Sequence, residues 1–380
     1  MEKIHRPLWM EIRRRDFEEN LATIKGGLSE GTQLLAVLKD NAYGLGSETL
    51  GRWAHEWGIR HFAVANIYEG LQLRSQVGKS EILILGYNEP AMVPEAIEAE
   101  LSLLVWNLPM AEQFSRVATE LGREAKIHLA VDTGLSRLGF FPTEESLGEM
   151  EAIAKLPGIK IMGTMSHLAR TETDDHAFTQ RQLETFLDFV DEMRARGLAP
   201  GTIHMADSAG LVKFPEAHLE MVRCGALLSG SLQGRHFVPG DEIFALNYVM
   251  SLKAKIARVA HYPNGASVSY DATFETDEAI TVATLPVGYG DGLGQEFEEE
   301  RGLWVLISGV RCPMLGSINM DMMMVDVTGV DCKEGDEVVL LGKQGDDEIT
   351  LDDWSDWGGK SPTAYQSLLQ SKIPKLYIEQ

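Results

Sequence analysis

The chain has 380 residues, of which 44% are hydrophobic and 24% are charged, and its formal net charge is −23. This length favours two domains over one, and the composition is that of an ordinary globular protein. Nucleic acids and anionic membranes repel so negative a chain, so neither is an expected partner.

The first twelve residues lack the apolar segment of a signal peptide, and no apolar run is long enough to span a membrane. The three cysteines, Cys224, Cys312 and Cys332, match neither a zinc pattern nor a disulfide framework. We therefore expect a cytoplasmic protein with no metal site.

The first part of the chain alternates short apolar runs with amphipathic segments of helical length. In the first segment Asp16 and Glu19 have the spacing of a capping box, and Phe17, Leu21 and Ile24 share one face with Leu28. The eight apolar runs, each a predicted strand, are Leu34–Leu38, Phe62–Ala65, Ile82–Leu85, Leu101–Val105, Ile127–Val131, Ile159–Thr164, Ile203–Ala206 and Met221–Arg223. Eight buried strands alternating with helices predict an α/β fold with a closed (β/α)8 barrel of the TIM type over residues 13–240.

The pattern changes near residue 240, where β-rich segments separated by turn signals such as Pro239-Gly240 replace the helical periodicity. The predicted strands are Val249–Val259, Ala266–Ser269, Ile280–Val287, Leu303–Ile307, Met322–Val327 and Glu337–Leu341. We expect a mostly β domain over residues 241–380. Residues 1–12 are expected to join it, because Arg6–Ile12 has strand character.

The segment AVLKDNAYGLG, residues 36–46, carries the clearest chemical signal. An apolar strand ends at Lys39, and active sites of such barrels lie at the carboxyl ends of the strands. A lysine that loses its proton through burial or neighbouring cations can form a Schiff base. A lone lysine after a strand is more often simply solvated, but Asn41, Tyr43, Gly44 and Gly46 indicate a specifically built loop.

This segment resembles the cofactor-lysine signature of the alanine racemases, and ten more segments resemble that family in the same order. They are RPLWMEI, FAVANIYEGLQLR, VDTGLSRLGF, SHLA, HMADSAG, LEMVRCG, MSLKAKI, VSYDATF, LPVGYGDG and LGSINMD, which together with the first span nearly the whole chain. The resemblance implies a barrel followed by a β domain, pyridoxal 5'-phosphate as cofactor and a small amino acid as substrate. It also implies a head-to-tail homodimer that interconverts L- and D-alanine.

The resemblance implies that Lys39 carries the cofactor and serves as one catalytic base, and that Tyr270 of the partner subunit is the other. Two bases on opposite faces of the α-carbon allow racemisation without turning the substrate over. Arg223 resembles the arginine that hydrogen-bonds the pyridine nitrogen. Because arginine stays protonated and offers no acceptor, it would keep that nitrogen unprotonated.

Strand counting puts Ser208 after the seventh apolar run, and Gly225 and Ala226 after the eighth, where barrels often bind phosphate. The resemblance adds further cofactor and substrate contacts. Tyr43 and Tyr365 would contact the phosphate, His167 the cofactor ring, Arg137 and Met320 the substrate carboxylate, and Tyr289 and Asp321 the active-site entrance.

Four positions depart from the family pattern. Ala130 replaces a lysine that braces the substrate-orienting arginine, so Arg137 needs another partner. Asp207 replaces an asparagine, and a carboxylate near a phosphate is unfavourable unless it faces away or is paired. Leu45 and Phe274 replace a histidine and a tyrosine.

These departures leave other functions open. One alternative is a racemase of serine or another small amino acid. A barrel-type decarboxylase using the same cofactor is disfavoured by Arg223, since such enzymes commonly place a carboxylate at the pyridine nitrogen. A non-catalytic cofactor carrier is disfavoured by the β domain and Tyr270.

Overall fold

A computed structural model describes residues 5–171, 176–231, 245–298, 302–369 and 371–379. Eight parallel strands close a barrel in chain order, and β2 pairs with β9 from Gln33↔Met221 to Ala36↔Cys224. The barrel strands are β2 (Gln33–Val37), β3 (His61–Val64), β4 (Glu81–Ile84), β5 (Ser102–Val105), β6 (Ala125–Ala130), β7 (Ile159–Met165), β8 (Thr202–His204) and β9 (Met221–Cys224). The predicted barrel is thus confirmed, with strand ends shifted by at most one or two residues.

Helices connect these strands and cover the outside of the barrel. They are α1 (Arg14–Gly26), α2 (Lys39–Tyr43), α3 (Ser47–Trp57), α4 (Ile67–Val77), α5 (Val93–Glu98), α6 (Leu108–Leu121), α7 (Glu144–Ala154), α8 (Ala177–Ala195) and α9 (Ser208–Lys213). Among the helices that these residues form, none is both long and apolar enough to cross a membrane.

The predicted capping box at the start of α1 is wrong. The helix begins at Arg14, directly after a strand, and Arg13 is the N-cap without a side-chain cap. Asp16 therefore lies inside the first turn, where it forms an ion pair with Arg13. The predicted apolar face is confirmed, because Phe17, Leu21 and Ile24 are fully buried and Leu28 packs against the same core.

A second, largely antiparallel sheet follows the barrel. Its strand order is β11-β14-β17-β16-β15-β18-β10-β1-β20, and β19 pairs with β18 off this path. The strands are β1 (Leu8–Arg13), β10 (Met250–Lys255), β11 (Arg258–Tyr262), β14 (Ile280–Leu285), β15 (Trp304–Ile307), β16 (Val310–Leu315), β17 (Met323–Asp326), β18 (Glu337–Gln344), β19 (Asp347–Ile349) and β20 (Lys375–Ile378), and a separate hairpin is formed by β12 (Ser267–Val268) and β13 (Phe274–Glu275). Two short helices, α10 (Leu351–Gly358) and α11 (Pro362–Leu368), precede β20.

The single predicted strand Val249–Val259 is in fact two strands, β10 and β11, which lie far apart in the sheet order. The chain changes partners between them, because Ile256 donates to Asp336 O and Ala257 donates to Thr284 O. The amino-terminal strand β1 lies between β10 and β20, antiparallel to the first and parallel to the second. The proposed domain boundary at residue 240 and the Pro239-Gly240 turn lie outside the described residues, and the domain limits stay a prediction.

Candidate active site

A cavity of about 490 Å³ lies at the carboxyl ends of the barrel strands. This volume falls within the range of about 300 to 1,000 Å³ typical of small-molecule sites. Eight of the predicted cofactor and substrate residues line it: Lys39, Tyr43, Arg137, His167, Ser208, Arg223, Gly225 and Ala226.

Lys39 reaches the cavity from a turn with unusual backbone geometry. The four residues Asp40 to Tyr43 have φ values of 54°, 55°, 53° and 54°, which makes α2 a left-handed turn. Such a conformation costs about 1 to 2 kcal/mol per residue for L-amino acids, so other contacts must hold it. Glu69 accepts from Asp40 N at 2.8 Å, and Gln366 Nε2 donates to Tyr43 O at 3.1 Å. The turn brings the Tyr43 ring centroid to 6.0 Å from Lys39 Nζ.

Arg223 lies at the centre of a buried hydrogen-bond network. Its Nη1 donates to His204 Nδ1 at 2.8 Å, and its Nη2 lies 2.8 Å from each of three acceptors, Ser166 O, Met205 O and His167 Nδ1. Burial lowers the pKa of Arg223 to about 10, which still leaves the guanidinium charged at neutral pH. Since guanidinium has five N–H groups, the Nε–H and the second Nη1–H are left for another acceptor.

His167 is neutral at physiological pH. Burial lowers its pKa to about 2, and the charges of Arg223, Arg137 and Lys39 act in the same direction. Its Nδ1 accepts from Arg223 Nη2, so this nitrogen carries no proton and the Nε2 carries one. His167 can therefore pack against a ring and donate one hydrogen bond, but it cannot serve as a cation.

The predicted phosphate residues surround one end of the cavity. Gly225 N donates to Ser208 Oγ at 3.0 Å, and a Cβ at Gly225 would lie only 2.1 Å from Tyr43 Oη. Burial raises the pKa of Tyr43 well above its usual value, so its hydroxyl remains a proton donor. The hydroxyls of Ser208 and Tyr43 are thus neutral donors beside a space that only glycine at position 225 leaves open.

Asp207 lies beside these donors, as its sequence position suggested. Its Oδ1 accepts from Gly210 N at 2.8 Å and caps α9, while its Oδ2 is 3.8 Å from His167 Nε2. Burial raises the pKa of Asp207. One carboxylate oxygen is therefore turned toward the helix, which reduces the repulsion that an anion nearby would feel.

Arg137 lines the cavity but has no carboxylate partner among the residues that the structure describes. Asp132, the nearest acidic residue in sequence, uses Oδ1 to accept from Gly134 N and Ser136 N at 2.9 and 3.0 Å. Ala130 is buried against Leu104 and Met165. The guanidinium of Arg137 is thus available to an anionic ligand.

Four of the predicted residues do not line the cavity. They lie at the surface of the part of the chain that follows the barrel and contains the second sheet. Tyr270 is 71% exposed, Met320 56% and Tyr289 42%, and the Asp321 side chain is 62% exposed. Backbone hydrogen bonds from Tyr289 to Asn319 O and from Gly290 to Met320 O hold two of these segments together. Among the described residues that line the cavity, Tyr270 is absent.

The structure corrects the placement of Tyr365. Its side chain is fully buried, stacked on Phe297 at a centroid distance of 5.1 Å and edge-on to Trp354 at 5.8 Å. It is therefore part of an aromatic core and does not line the cavity as a phosphate contact would. Thr363, two residues earlier, lines the cavity instead.

The buried partners of Arg223 could not be recognised in the sequence. His204, the last residue of β8, is fully buried and was read only as part of an apolar run. A histidine inside such a run is a weak signal, because buried histidines are often structural. His128 on β6 and Glu81 on β4, which continue this network, gave no recognisable pattern either.

Comparison with known proteins agrees with this geometry. Residues 12–233 match the family model for the N-terminal domain of alanine racemase, and residues 249–377 match the model for its C-terminal domain. An alanine racemase of Methanococcus maripaludis is 33% identical over 99% of this chain and 100% of its own length. One from Clostridium novyi is 32% identical over 98% of this chain and 96% of its own.

Solved structures show the same architecture. The alanine racemase of Clostridium difficile 630 superposes with a TM-score of 0.92 at 30% identity, covering 100% of this chain and 97% of that one. The enzyme of Streptomyces lavendulae gives a TM-score of 0.93 at 27% identity, with coverage of 100% and 98%. With both domains matched and the cavity at the expected end of the barrel, the chain belongs to the alanine racemase family.

Proposed function

We propose that this chain interconverts L- and D-alanine with pyridoxal 5'-phosphate held by Lys39. The observation that carries the proposal is the convergence of Lys39, Arg223, Ser208 and Gly225 on one cavity at the carboxyl end of the barrel. The relatives named as alanine racemases support alanine as the substrate.

The residues present suit this cofactor. Lys39 supplies the amine that an aldehyde cofactor requires, and Arg223 offers two free N–H groups to a ring nitrogen. Gly225 leaves room for a phosphate beside the hydroxyls of Ser208 and Tyr43, because any larger residue there would meet Tyr43. When bound, pyridoxal phosphate withdraws electrons from the substrate α-carbon and makes its proton acidic.

Arg223 limits how far this electron withdrawal can go. Its charge persists at neutral pH, since burial lowers its pKa only to about 10. A guanidinium cannot accept a proton or donate one fully, so the ring nitrogen it contacts would stay unprotonated. This favours simple proton removal and return over side reactions, and it supports a racemase over a decarboxylase.

Racemisation needs a proton acceptor on each face of the α-carbon. Lys39 Nζ would hold the proton on one face, and the phenol oxygen of Tyr270 from the partner subunit would hold it on the other. The exposure of Tyr270, Tyr289 and Met320 supports a homodimer, because such side chains on a monomer surface are commonly covered by a partner. The proposed head-to-tail arrangement would bring these side chains to the barrel mouth of the other subunit.

The substrate carboxylate would be bound by Arg137, whose guanidinium faces the cavity without a carboxylate partner in the described parts of the chain. A bidentate pair between arginine and a carboxylate fixes orientation as well as charge. Met320 of the partner subunit would add its backbone N–H, and Asp321 and Tyr289 would line the entrance. Because position 130 is alanine, Arg137 lacks the brace that a lysine would give. Its guanidinium is then less firmly oriented, but its charge is unchanged.

Purified protein supplied with pyridoxal phosphate, tested against a panel of pure L-amino acids, would settle the substrate. Chiral chromatography should show D-alanine forming faster than any other D-amino acid, and less of it without added cofactor. If serine were converted faster than alanine, serine would be the preferred substrate. Release of carbon dioxide, or cofactor binding without α-proton exchange, would refute the proposal. A cytoplasmic location stays a prediction from the amino-terminal sequence.

A further inference from the structure

A chain of buried side chains runs down the interior of the barrel from the cavity to the amino ends of its strands. Arg223 donates to His204 Nδ1 at 2.8 Å, and His204 Nε2 lies 3.0 Å from His128 Nδ1. His128 Nε2 then lies 2.9 Å from Glu81 Oε1. Arg223, His204 and His128 are exposed by 3%, 0% and 1% respectively, so water cannot replace these bonds.

The direction of every bond in this chain is fixed by its two ends. Arg223 can only donate, so His204 Nδ1 must be a bare acceptor and the proton of a neutral ring sits on Nε2. That proton makes His128 Nδ1 an acceptor and leaves the His128 proton on Nε2, facing Glu81. A carboxylate can only accept, so the chain ends there without conflict.

Burial and the neighbouring charge of Arg223 keep the His204 imidazole neutral. Burial lowers the pKa of His204 well below its usual value, and the charge of Arg223 lowers it further. Burial by itself would raise the pKa of Glu81, but hydrogen bonds from His128 and then His61 outweigh it and hold it below its usual value. Glu81 is thus a lasting anion at the far end of the chain.

The barrel makes room for this arrangement at one specific point. A Cβ at Gly163 would lie 2.6 Å from His128 Nδ1, and the pairing of β6 with β7 shifts register between Ile127 and His128. The strand irregularity and the glycine together allow the two imidazoles to meet inside the barrel.

We propose that Glu81 is a remote positioning residue for Arg223, because it is the last acceptor of a one-way hydrogen-bond chain through His128 and His204. Glu81 accepts the Nε2 proton of His128, so the Nε2–H tautomers that Arg223 requires leave no buried donor unpaired, and His204 Nδ1 stays an acceptor that holds the guanidinium in place. The effect on catalysis rests on the proposed contact of Arg223 with the cofactor. The tautomers themselves do not depend on it.

Nitrogen NMR of the full-length protein with ¹⁵N-labelled histidine tests the tautomers directly, with and without pyridoxal phosphate. We expect His128 and His204 to be Nε2–H tautomers in the native protein and in Glu81→Gln, whose amide oxygen still accepts. In Glu81→Leu the His128 proton loses its acceptor, so one or both rings should show a mixed or reversed tautomer. Ser102→Ala removes a hydroxyl 3.3 Å from the same carboxylate oxygen and serves as the control, with unchanged tautomers.

Activity provides the second measurement. Glu81→Leu should lower kcat for alanine racemisation about tenfold, or about 1.4 kcal/mol, while Glu81→Gln stays close to the native value. A native protein with an Nδ1–H tautomer at His204, or a folded Glu81→Leu with native tautomers, would overturn the inference. Correct tautomers in a protein that racemises no amino acid would instead refute the proposed function and leave this inference standing.

Discussion

Replacing Tyr270 with phenylalanine separates catalysis from folding. The side chain is 71% exposed in the single chain, and substitutions at such positions usually change stability by about 0.5 kcal/mol or less. Loss of a positioned general base costs about 100- to 10,000-fold in rate, or roughly 3 to 5 kcal/mol in the barrier. We therefore expect Tyr270→Phe to keep its melting temperature and to lose at least about 100-fold in racemisation.

Isotope exchange can distinguish the two proposed bases. L- and D-alanine have equal free energies, so kcat/KM must stay equal in both directions in any variant. The difference appears in α-proton exchange with heavy water, measured by proton NMR on each pure enantiomer. With Lys39 intact, one enantiomer should keep its exchange while exchange of the other slows by about 100-fold.

Tyr68→Phe provides a matched control, because Tyr68 is 65% exposed on α4 and has no proposed catalytic role. It should leave both exchange rates unchanged. Equal and small effects of Tyr270→Phe on the two enantiomers would refute the two-base assignment. A monomer in sedimentation would instead show that Tyr270 serves assembly.

Three further changes test other parts of the site. Lys39→Ala should prevent covalent attachment of the cofactor, seen as no added mass after borohydride reduction. Gly225→Ala puts a Cβ 2.1 Å from a tyrosine hydroxyl and should raise the Kd for pyridoxal phosphate about tenfold or more, whereas Gly148→Ala, with nothing within 4 Å, should not. Because burial lowers the pKa of His167 to about 2 and that of His204 well below normal, both rings are neutral when folded but protonate in the unfolded chain below about pH 6.5. As the pH is lowered from 6.5 to 5, the free energy of unfolding should therefore decrease by up to about 1.4 kcal/mol per pH unit for each ring. The variant His167→Asn should show a smaller decrease per pH unit in urea titrations.

Much of the fold can be predicted from the pattern of apolar residues in the sequence. Each barrel strand is a short apolar run buried on both faces, so its position is readable to within two residues. The second sheet is harder, because its strands are paired over long distances. β10 and β11 read as one run although a change of partners at Ile256 and Ala257 separates them, and β16 and β20 were not recognised.

The site could be predicted where residues lie at strand ends and not where they act through others. Lys39 and Ser208 follow barrel strands and Arg223 lies near the carboxyl end of β9, so their convergence on one cavity follows from topology. Tyr365 was misplaced because a single tyrosine near the carboxyl terminus carries no signal of its three-dimensional neighbours. Glu81 could not be found, since it begins a strand at the opposite end of the barrel.

The proposed function raises an electrostatic problem, because a chain of net charge −23 would have to attract two anions, the cofactor phosphate and the substrate carboxylate. Arg223 cannot neutralise the phosphate, since its Nη2 is held by three acceptors that follow β7 and β8, its Nη1 donates to His204, and its two remaining N–H groups are the ones proposed for the ring nitrogen. The phosphate must therefore rely on neutral donors beside Asp207. Arg137, which has no carboxylate partner in the described residues, is left for the substrate. The substrate carboxylate would thus be bound by the charge of Arg137, and the cofactor phosphate by neutral donors. Because salt screens charges, added salt should raise the KM for alanine more than it weakens cofactor binding.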